Sequence, residues 1–208
     1  MSKTIGVIIV VFLLLVEFTL GQSIAMPDNA LNDLRSTSLS RANLSVYEEQ
    51  AVLKLQDVLD YGTIIGSQKY NLELRETALE ATLSSFDNAA KLPCAWLLEP
   101  KTKAAKNKEG SCTATQLFQA LLEMPSYELE IWRENIRVEE NLRKVSKNIY
   151  QGALVYDQQV KTKKNKTTST FKEGKKEVIR IQFLLKRIDK QFGNTKEVVW
   201  EVKLLGML

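Results

Sequence analysis

Apolar side chains recur every three or four residues over most of this chain, and that spacing constrains the fold more than any other feature. A period of this length places apolar side chains along one face of an α-helix. The clearest run consists of Val178, Ile181, Leu185, Ile188 and Phe192. The pattern predicts an all-α fold, an elongated antiparallel bundle or coiled coil of three to four helices with one disulfide-closed loop.

The predicted helices are separated by segments rich in glycine, proline or lysine. They are a long helix at about 46–91, a helix at 113–124, a long helix at 126–162 and a helix at 171–192. Gly62 and Gly66 predict a kink or a short break around 61–68. Residues 22–44 are expected to form a flexible lead-in, and 45–208 a single helical domain.

Two sequence motifs mark predicted helix starts, and the tail of the chain fits either a strand or a helix. Ser45–Glu48 and Thr113–Gln116 match capping boxes, in which the first side chain accepts from a backbone N–H near a helix start. The tail at 196–205 alternates apolar and polar residues, which suits a strand as well as a short helix. A helix is slightly favoured, because no other strand is predicted to pair with it.

The first 21 residues match a secretory signal peptide. A basic start is followed by the apolar run Ile5–Val16 and by small residues before Gly21, with a second cleavage point after Ala25. A membrane anchor would need roughly 20 apolar residues, and Glu17 interrupts this run. We therefore expect a secreted, extracellular protein with no transmembrane segment in the mature chain.

Export makes two covalent modifications plausible. Cys94 and Cys112 are the only cysteines, and in an oxidising compartment they are most simply joined as one disulfide. Asn43 and Asn165 each begin an Asn-x-Ser/Thr glycosylation sequence. The predicted protein is thus a disulfide-bonded glycoprotein.

The composition excludes several kinds of chemistry. Histidine is absent, which rules out Ser-His-Asp and Cys-His nucleophile arrangements and removes the commonest zinc ligand. No glycine-rich phosphate-binding motif is present. We therefore predict a protein that is not an enzyme and has no cofactor and no metal site.

One interaction patch stands out between the cysteines. Trp96, Leu97 and Leu98 form an apolar group that could dock a partner or could equally cover the end of the bundle. A basic run follows it, consisting of Lys101, Lys103, Lys106 and Lys108. These lysines could contact an anionic glycan or lipid, although a solvated loop is the ordinary explanation.

The functional prediction follows from export and from the helical pattern. We expect a secreted, non-enzymatic helical binding protein with an extracellular protein partner or receptor, which could also self-associate through its long apolar stripes. Nucleic acid is not an expected partner, because the basic loops contain only one aromatic residue, Phe171. The alternatives are a carrier of a small apolar ligand or lipid between helices, and a helical-bundle signalling ligand.

Overall fold

The computed structural model describes residues 38–93, 111–123, 127–164, 172–173 and 176–207. These residues form one seven-stranded sheet and three helices. The fold is therefore mixed α/β, and the predicted all-α bundle or coiled coil is wrong.

The three helices lie in the first part of the described chain. They are α1 (Arg41–Gly66), α2 (Leu72–Ser85) and α3 (Ala114–Glu123). The side chain of Ser40 caps α1 by accepting from the backbone N–H of Asn43, so the predicted capping box at Ser45–Glu48 is not the start of this helix. Thr113 and Gln116 do form a reciprocal capping box at α3, with bonds of 3.0 and 3.2 Å.

The strands flank and follow α3. They are β1 (Phe86–Pro93), β2 (Ser111–Thr113), β3 (Tyr127–Ser146), β4 (Ile149–Lys164), β5 (Lys172–Glu173), β6 (Glu177–Phe192) and β7 (Thr195–Met207). The strand order is β2-β1-β7-β6-β4-β3, and β5 pairs with β4 beside this path. Every pairing is antiparallel except the parallel contact of β1 with β7.

The parallel contact of β1 with β7 is short and close. It pairs Phe86 with Leu204 and Lys91 with Gly206. Gly206 has a φ of 137°, and a Cβ atom at this position would lie 2.1 Å from the carbonyl oxygen of Lys91. Only glycine permits the two strands to approach this closely.

The core lies between the helices and one face of the sheet, which we call the core face. Its fully buried side chains include Leu55 and Ile65 of α1 and Leu154, Phe183 and Leu204 of the strands. Helix α1 packs against both β3 and β7. The opposite, outer face of the sheet carries ion pairs, among them Arg180 with Glu139 and Glu140, and Lys186 with Asp87.

The predicted long helix at 126–162 is in fact the hairpin of β3 and β4. Strand β3 pairs with β4 along its length and contains four register shifts, between Glu134 and Ser146. Each bulge changes which residues face the same side of a strand. Ile136, Val138 and Leu142 all pack against the core, and their spacings of two and four residues suit one face of a strand.

The predicted helix at 171–192 is largely strand β6. Ile181, Phe183 and Leu185 are each at most 1% exposed, which is the alternation of a strand with one face on the core. The pair Ile181 and Leu185 fits a period of two as well as a helical turn. Gly193 has a φ of 59° in the two-residue turn between β6 and β7.

Two further intervals differ from the sequence prediction. The single helix predicted at 46–91 corresponds to α1, α2 and strand β1, with a break at 67–71. The tail at 196–205 lies in β7, so the helix favoured there is wrong and the strand alternative holds. No helix in the described part of the chain is long and apolar enough to cross a membrane.

Candidate functional site

Most of the sequence-predicted site residues lie outside the described residues. These are Cys94, Trp96, Leu97, Leu98, Lys101, Lys103, Lys106, Lys108 and Asn165. The whole predicted signal peptide also lies outside the described residues. Cys112 lies half-buried on β2 opposite Leu92, and Asn43 lies half-buried in the first turn of α1. The disulfide, both glycosylation sites and the Trp96 patch therefore stay untested.

Two buried charged side chains are fully engaged by the protein itself. Glu48 of α1 accepts from the Arg41 guanidinium at 2.7 and 2.9 Å, from the Leu142 backbone N–H at 2.7 Å and from the Asn141 amide at 3.0 Å. Burial opposes ionisation of Glu48, but these donors outweigh it and lower the pKa of the carboxyl group. With its acceptor sites filled, Glu48 holds α1 against β3 and is a poor general base.

Arg75 has a comparable structural role. Its guanidinium donates from Nε to the carbonyl of Ile65 at 2.8 Å and from Nη2 to the carbonyl of Leu122 at 2.7 Å. It thereby satisfies carbonyl groups at the C-terminal ends of α1 and α3. Burial lowers the pKa of Arg75, yet its hydrogen bonds join three helices rather than face a ligand.

Hydrogen-bond donors instead converge on the core face of the sheet, at a group that we call the donor site: Tyr150, Arg187 and Trp200. These residues come from β4, β6 and β7, which are adjacent in the sheet. Arg187 lies directly opposite Trp200 in the antiparallel register, so their side chains are cross-strand neighbours. Tyr150 pairs with Leu185, two residues before Arg187.

The aromatic rings of the donor site pack edge to face. The centroids of Tyr150 and Trp200 are 5.5 Å apart with an interplanar angle of 67°. The Tyr150 hydroxyl accepts the backbone N–H of Leu39 at 3.0 Å, which fixes the chain just before α1. Lys144 lies across from Tyr150 on β3, with its ammonium 5.8 Å from the ring centroid.

The indole nitrogen of Trp200 is the unusual atom of this site. Trp200 is 7% exposed, and its Nε1 donates to no atom among the described residues. A buried donor without an acceptor costs roughly 1–3 kcal/mol, so nearly all such groups in folded proteins are paired. The donor site therefore combines an aromatic wall, the nearby charges of Arg187 and Lys144, and an N–H group that needs an acceptor.

Sequence reasoning missed all three residues of the donor site. Tyr150 and Arg187 were assigned to helices, and Trp200 to a tail whose conformation was left open. The alternation of Tyr150, Leu154 and Tyr156 was the available signal, since it matches a strand with one buried face. Among the described residues, no three His, Cys, Asp or Glu side chains form a group that could hold a metal ion.

Comparisons with known proteins add little to this geometry. No family model matches the chain, and no curated protein matches it. One similar solved structure is a hexachlorocyclohexane dehydrochlorinase (LinA) Type2, with 14% identity, a TM-score of 0.37, and 80% of this chain and 86% of that chain covered. A likeness of this size carries no argument about activity.

These findings correct the functional prediction. The described residues are built on a seven-stranded sheet with three helices. The predictions of a helical binding protein, of a carrier with its ligand between helices and of a helical-bundle signalling ligand are therefore withdrawn. The prediction that this chain is not an enzyme is withdrawn together with that helical fold. No activity is transferred from the similar solved structure to this chain.

Proposed function

We propose that this is an exported protein that binds a small molecule with an aromatic body and a carboxylate or similar accepting group. The ligand would bind at the donor site on the core face of the sheet. The observation that carries the proposal is the buried Trp200 Nε1, which has no acceptor among the described residues and lies beside Arg187.

The chemistry of the site favours an anionic acceptor. A ligand oxygen bound to Trp200 Nε1 would remove the cost of the buried unpaired donor. The guanidinium of Arg187 and the ammonium of Lys144 supply positive charge near the same rings, and hydrogen bonds between an ionised donor and a carboxylate are stronger than neutral ones. A neutral ligand would use the indole N–H but not these charges.

The two rings of the site favour an aromatic ligand body. Tyr150 and Trp200 present rings that are held at a fixed angle by their own contact. Aromatic pairs gain about 0.5–1.5 kcal/mol beyond their buried area when edge-to-face or offset stacking is available. A flat ring in the ligand would extend this arrangement, whereas a flexible alkyl chain would not.

Export is part of the proposal and rests on the sequence alone. The basic start, the apolar run and the small residues before Gly21 support a signal peptide. Expression of the full chain in a secreting cell tests it directly. An intact mass of protein from the medium that begins after Gly21 or Ala25 would support export, and a chain retained in the cell would contradict it.

The ligand proposal is tested with matched pairs of small molecules. Naphthoate and naphthamide have the same ring and differ in the charge of the accepting group. In ¹⁵N-labelled protein, we expect naphthoate to shift the indole N–H resonance of Trp200 downfield, and naphthamide to bind more weakly. An unchanged indole resonance across a panel of aromatic carboxylates would contradict the proposal.

Two variants separate binding from folding. Trp200→Phe keeps an aromatic ring without the N–H and should abolish measurable binding in calorimetry. The control is Trp132→Phe, at a residue that is 38% exposed and lies opposite Gln159 near the far end of the sheet. Arg187→Gln should reduce the preference for naphthoate over naphthamide. Equal affinities of the Trp200→Phe variant and the parent would rule out the donor site.

A protein partner is a second proposal, favoured by an exposed apolar group on the outer face. Trp132 and Val178 are 38% and 70% exposed, and both are paired with residues of β4, Gln159 and Asp157. The ammonium of Lys176 lies 4.7 Å from the Trp132 ring centroid. We propose that this group contacts a second copy of the chain. Light scattering should show a dimer that Val178→Lys converts to a monomer, and a monomeric parent would contradict it.

A further inference from the structure

The residues just before α1 lie against the donor site. Ser38, Leu39 and Ser40, which we call the strap, belong to no helix or strand and precede α1 directly. The backbone N–H of Leu39 donates to the Tyr150 hydroxyl at 3.0 Å, across 111 residues of sequence. Leu39 is 8% exposed and belongs to the same core cluster as Tyr150 and Trp200. The strap therefore packs an apolar side chain beside the donor site and is bonded to it through a backbone N–H.

One end of the strap is fixed to the protein. The hydroxyl and the carbonyl of Ser40 both accept backbone N–H groups of α1. The next residue, Arg41, is held by the Glu48 carboxylate, which in turn accepts the backbone N–H of Leu142 on β3. The start of α1 is thus anchored to the sheet, and Leu39 lies just outside this anchor.

The donor site is closed in this arrangement. Tyr150 and Trp200 are 4% and 7% exposed, so a ligand reaches the indole N–H only if a covering group moves. Strands β4 and β6 are each paired along both edges, and moving either would break ladder hydrogen bonds. Leu39 belongs to no ladder, and its N–H is released when the bond to Tyr150 opens. Displacing the strap therefore breaks fewer hydrogen bonds than displacing either strand.

We propose that the strap is a gate over the donor site, a role that rests on the proposed function in so far as a ligand uses it. The bond of Leu39 to Tyr150 holds the gate closed, and a ligand enters when this bond opens. The ring of Tyr150 forms part of the aromatic wall, and its hydroxyl positions the strap. Closure of the Trp200 indole by the strap is a property of the free protein and can be measured without a ligand.

Solvent exchange of the Trp200 indole N–H tests the gate in the free protein, because exchange requires water to reach the indole. Tyr150→Phe keeps the ring and removes the acceptor of the Leu39 N–H. The indole N–H should then exchange about tenfold faster, the effect of losing one hydrogen bond. Tyr70→Phe makes the same change at a residue that is 42% exposed and should leave the rate at the parent value.

The backbone N–H of Leu154 on β4 reports global unfolding in the same samples, since this strand is paired along both edges. Faster exchange of the indole than of Leu154 would support local opening of the strap. Equal acceleration of both groups would show that Tyr150→Phe only loosens the whole fold, and would overturn the gate. Equal indole rates in Tyr150→Phe and Tyr70→Phe would overturn it as well.

A second variant tests entry of the ligand. Leu39→Ala keeps all three residues of the donor site and removes the apolar side chain beside them. It should raise the fraction of open protein, so naphthoate should associate about tenfold faster in stopped-flow fluorescence. Leu53→Ala is the matched control, at a residue of α1 that is 59% exposed, and should associate at the parent rate.

The two measurements separate the gate from the proposed ligand. If naphthoate binds but its association rate is unchanged in Leu39→Ala, the strap does not control entry and the gate is overturned. If no variant binds naphthoate but the indole of Tyr150→Phe exchanges faster than Leu154, closure by the strap is supported and the proposed ligand is contradicted. Circular dichroism of each variant verifies that the fold is retained.

Discussion

The carboxylate of Glu48 accepts the backbone N–H of Leu142 at 2.7 Å, which joins helix α1 to the edge strand of the sheet. Leu142 is 94 residues away along the chain, and its N–H belongs to β3, the last strand on that side. The Arg41 guanidinium and the Asn141 amide occupy the remaining acceptor positions of the same carboxylate. One acidic side chain thus satisfies part of an edge that would otherwise present free backbone donors.

Replacing Glu48 with glutamine should lower the free energy of unfolding by about 2 kcal/mol at pH 7, because charge-assisted hydrogen bonds to a buried group are lost. The folded-state pKa of Glu48 lies below its ordinary value of 4.5. Its stabilisation is therefore complete above that value and is lost as pH falls through the folded-state pKa. Urea denaturation of parent and Glu48→Gln should give a difference that shrinks in acid. The exposed neighbour variant Glu49→Gln should show little change at either pH.

Thr82→Val should stabilise the protein by about 1 kcal/mol, because it removes a buried hydroxyl that has no partner and keeps the side-chain shape. Thr82 is 0% exposed, and its Oγ1 has no hydrogen bond among the described residues. Thermal and chemical denaturation both report the change. Thr77→Val is the matched control on the same helix, since the Thr77 hydroxyl is exposed and donates to Glu73. A Thr82→Val variant less stable than the parent would show that the hydroxyl is satisfied in solution.

Gly152→Ala should destabilise the protein by about 1–3 kcal/mol through overpacking. A Cβ atom there would lie 2.7 Å from the Phe183 ring and 2.8 Å from the backbone oxygen of Glu140, and neither neighbour is the end of a flexible chain. Gly193→Asn provides the comparison, because a Cβ atom at that turn meets nothing within 4 Å and asparagine tolerates its positive φ. Equal unfolding midpoints for the two variants would contradict the close packing at Gly152.

Lys54→Met should raise the stability of the protein at neutral pH. Burial, together with Lys203 and Lys190, disfavours the charged form of Lys54, which lowers its pKa against Glu201 and Asp57. The unfolded chain then binds more protons than the folded one between the folded-state pKa and 10.5, so the parent gains stability as pH rises through that window. The advantage of Lys54→Met should shrink over the same range. Denaturation measured from pH 7 to pH 10 checks this, with Lys69→Met at an exposed position as the control.

Apolar spacing predicted a helix correctly where the sequence does form one, over most of α1. The spacing of Ala51, Leu55 and Val58 places all three in the core on α1. The break expected around 61–68 lies slightly later, at 67–71, and α1 is continuous through Gly62 to Gly66. The start of the helix was misplaced because Glu48, taken as part of a capping box, bonds to β3 instead. That partner is distant in sequence, so no local pattern could reveal it.

The strands were missed for two physical reasons. In β3, the core residues Ile136, Val138 and Leu142 include a four-residue step, and a step of that length fits a helical turn as well as one face of a strand. In β6, Phe183 lies between Ile181 and Leu185 on the same face, so counting only every fourth residue concealed the alternation. A strand is also predicted more readily when a second strand is available to pair with it. Because the other strands were predicted as helices, the tail at 196–205 had no predicted partner and was assigned to a helix as well.

The donor site could not be predicted for a related reason. Tyr150, Arg187 and Trp200 come together only through two strand pairings, and each residue alone is unremarkable in sequence. The feature that marks the site is the buried Trp200 Nε1 without an acceptor among the described residues, and this feature exists only once the core is assembled. The proposal of export, in contrast, rests wholly on local sequence and needs no fold.

The parallel contact of β1 with β7 has a consequence for the order in which the chain matures. During translation, β1 leaves the ribosome more than a hundred residues before its neighbour at Leu204–Gly206 is made. Until then β1 has only the short β2 beside it, and the helices that lead into it cover an incomplete sheet. A nascent chain halted anywhere before β7 would therefore keep its apolar interior open to chaperones. The sheet is complete only when β7 pairs with β6 on one side and β1 on the other.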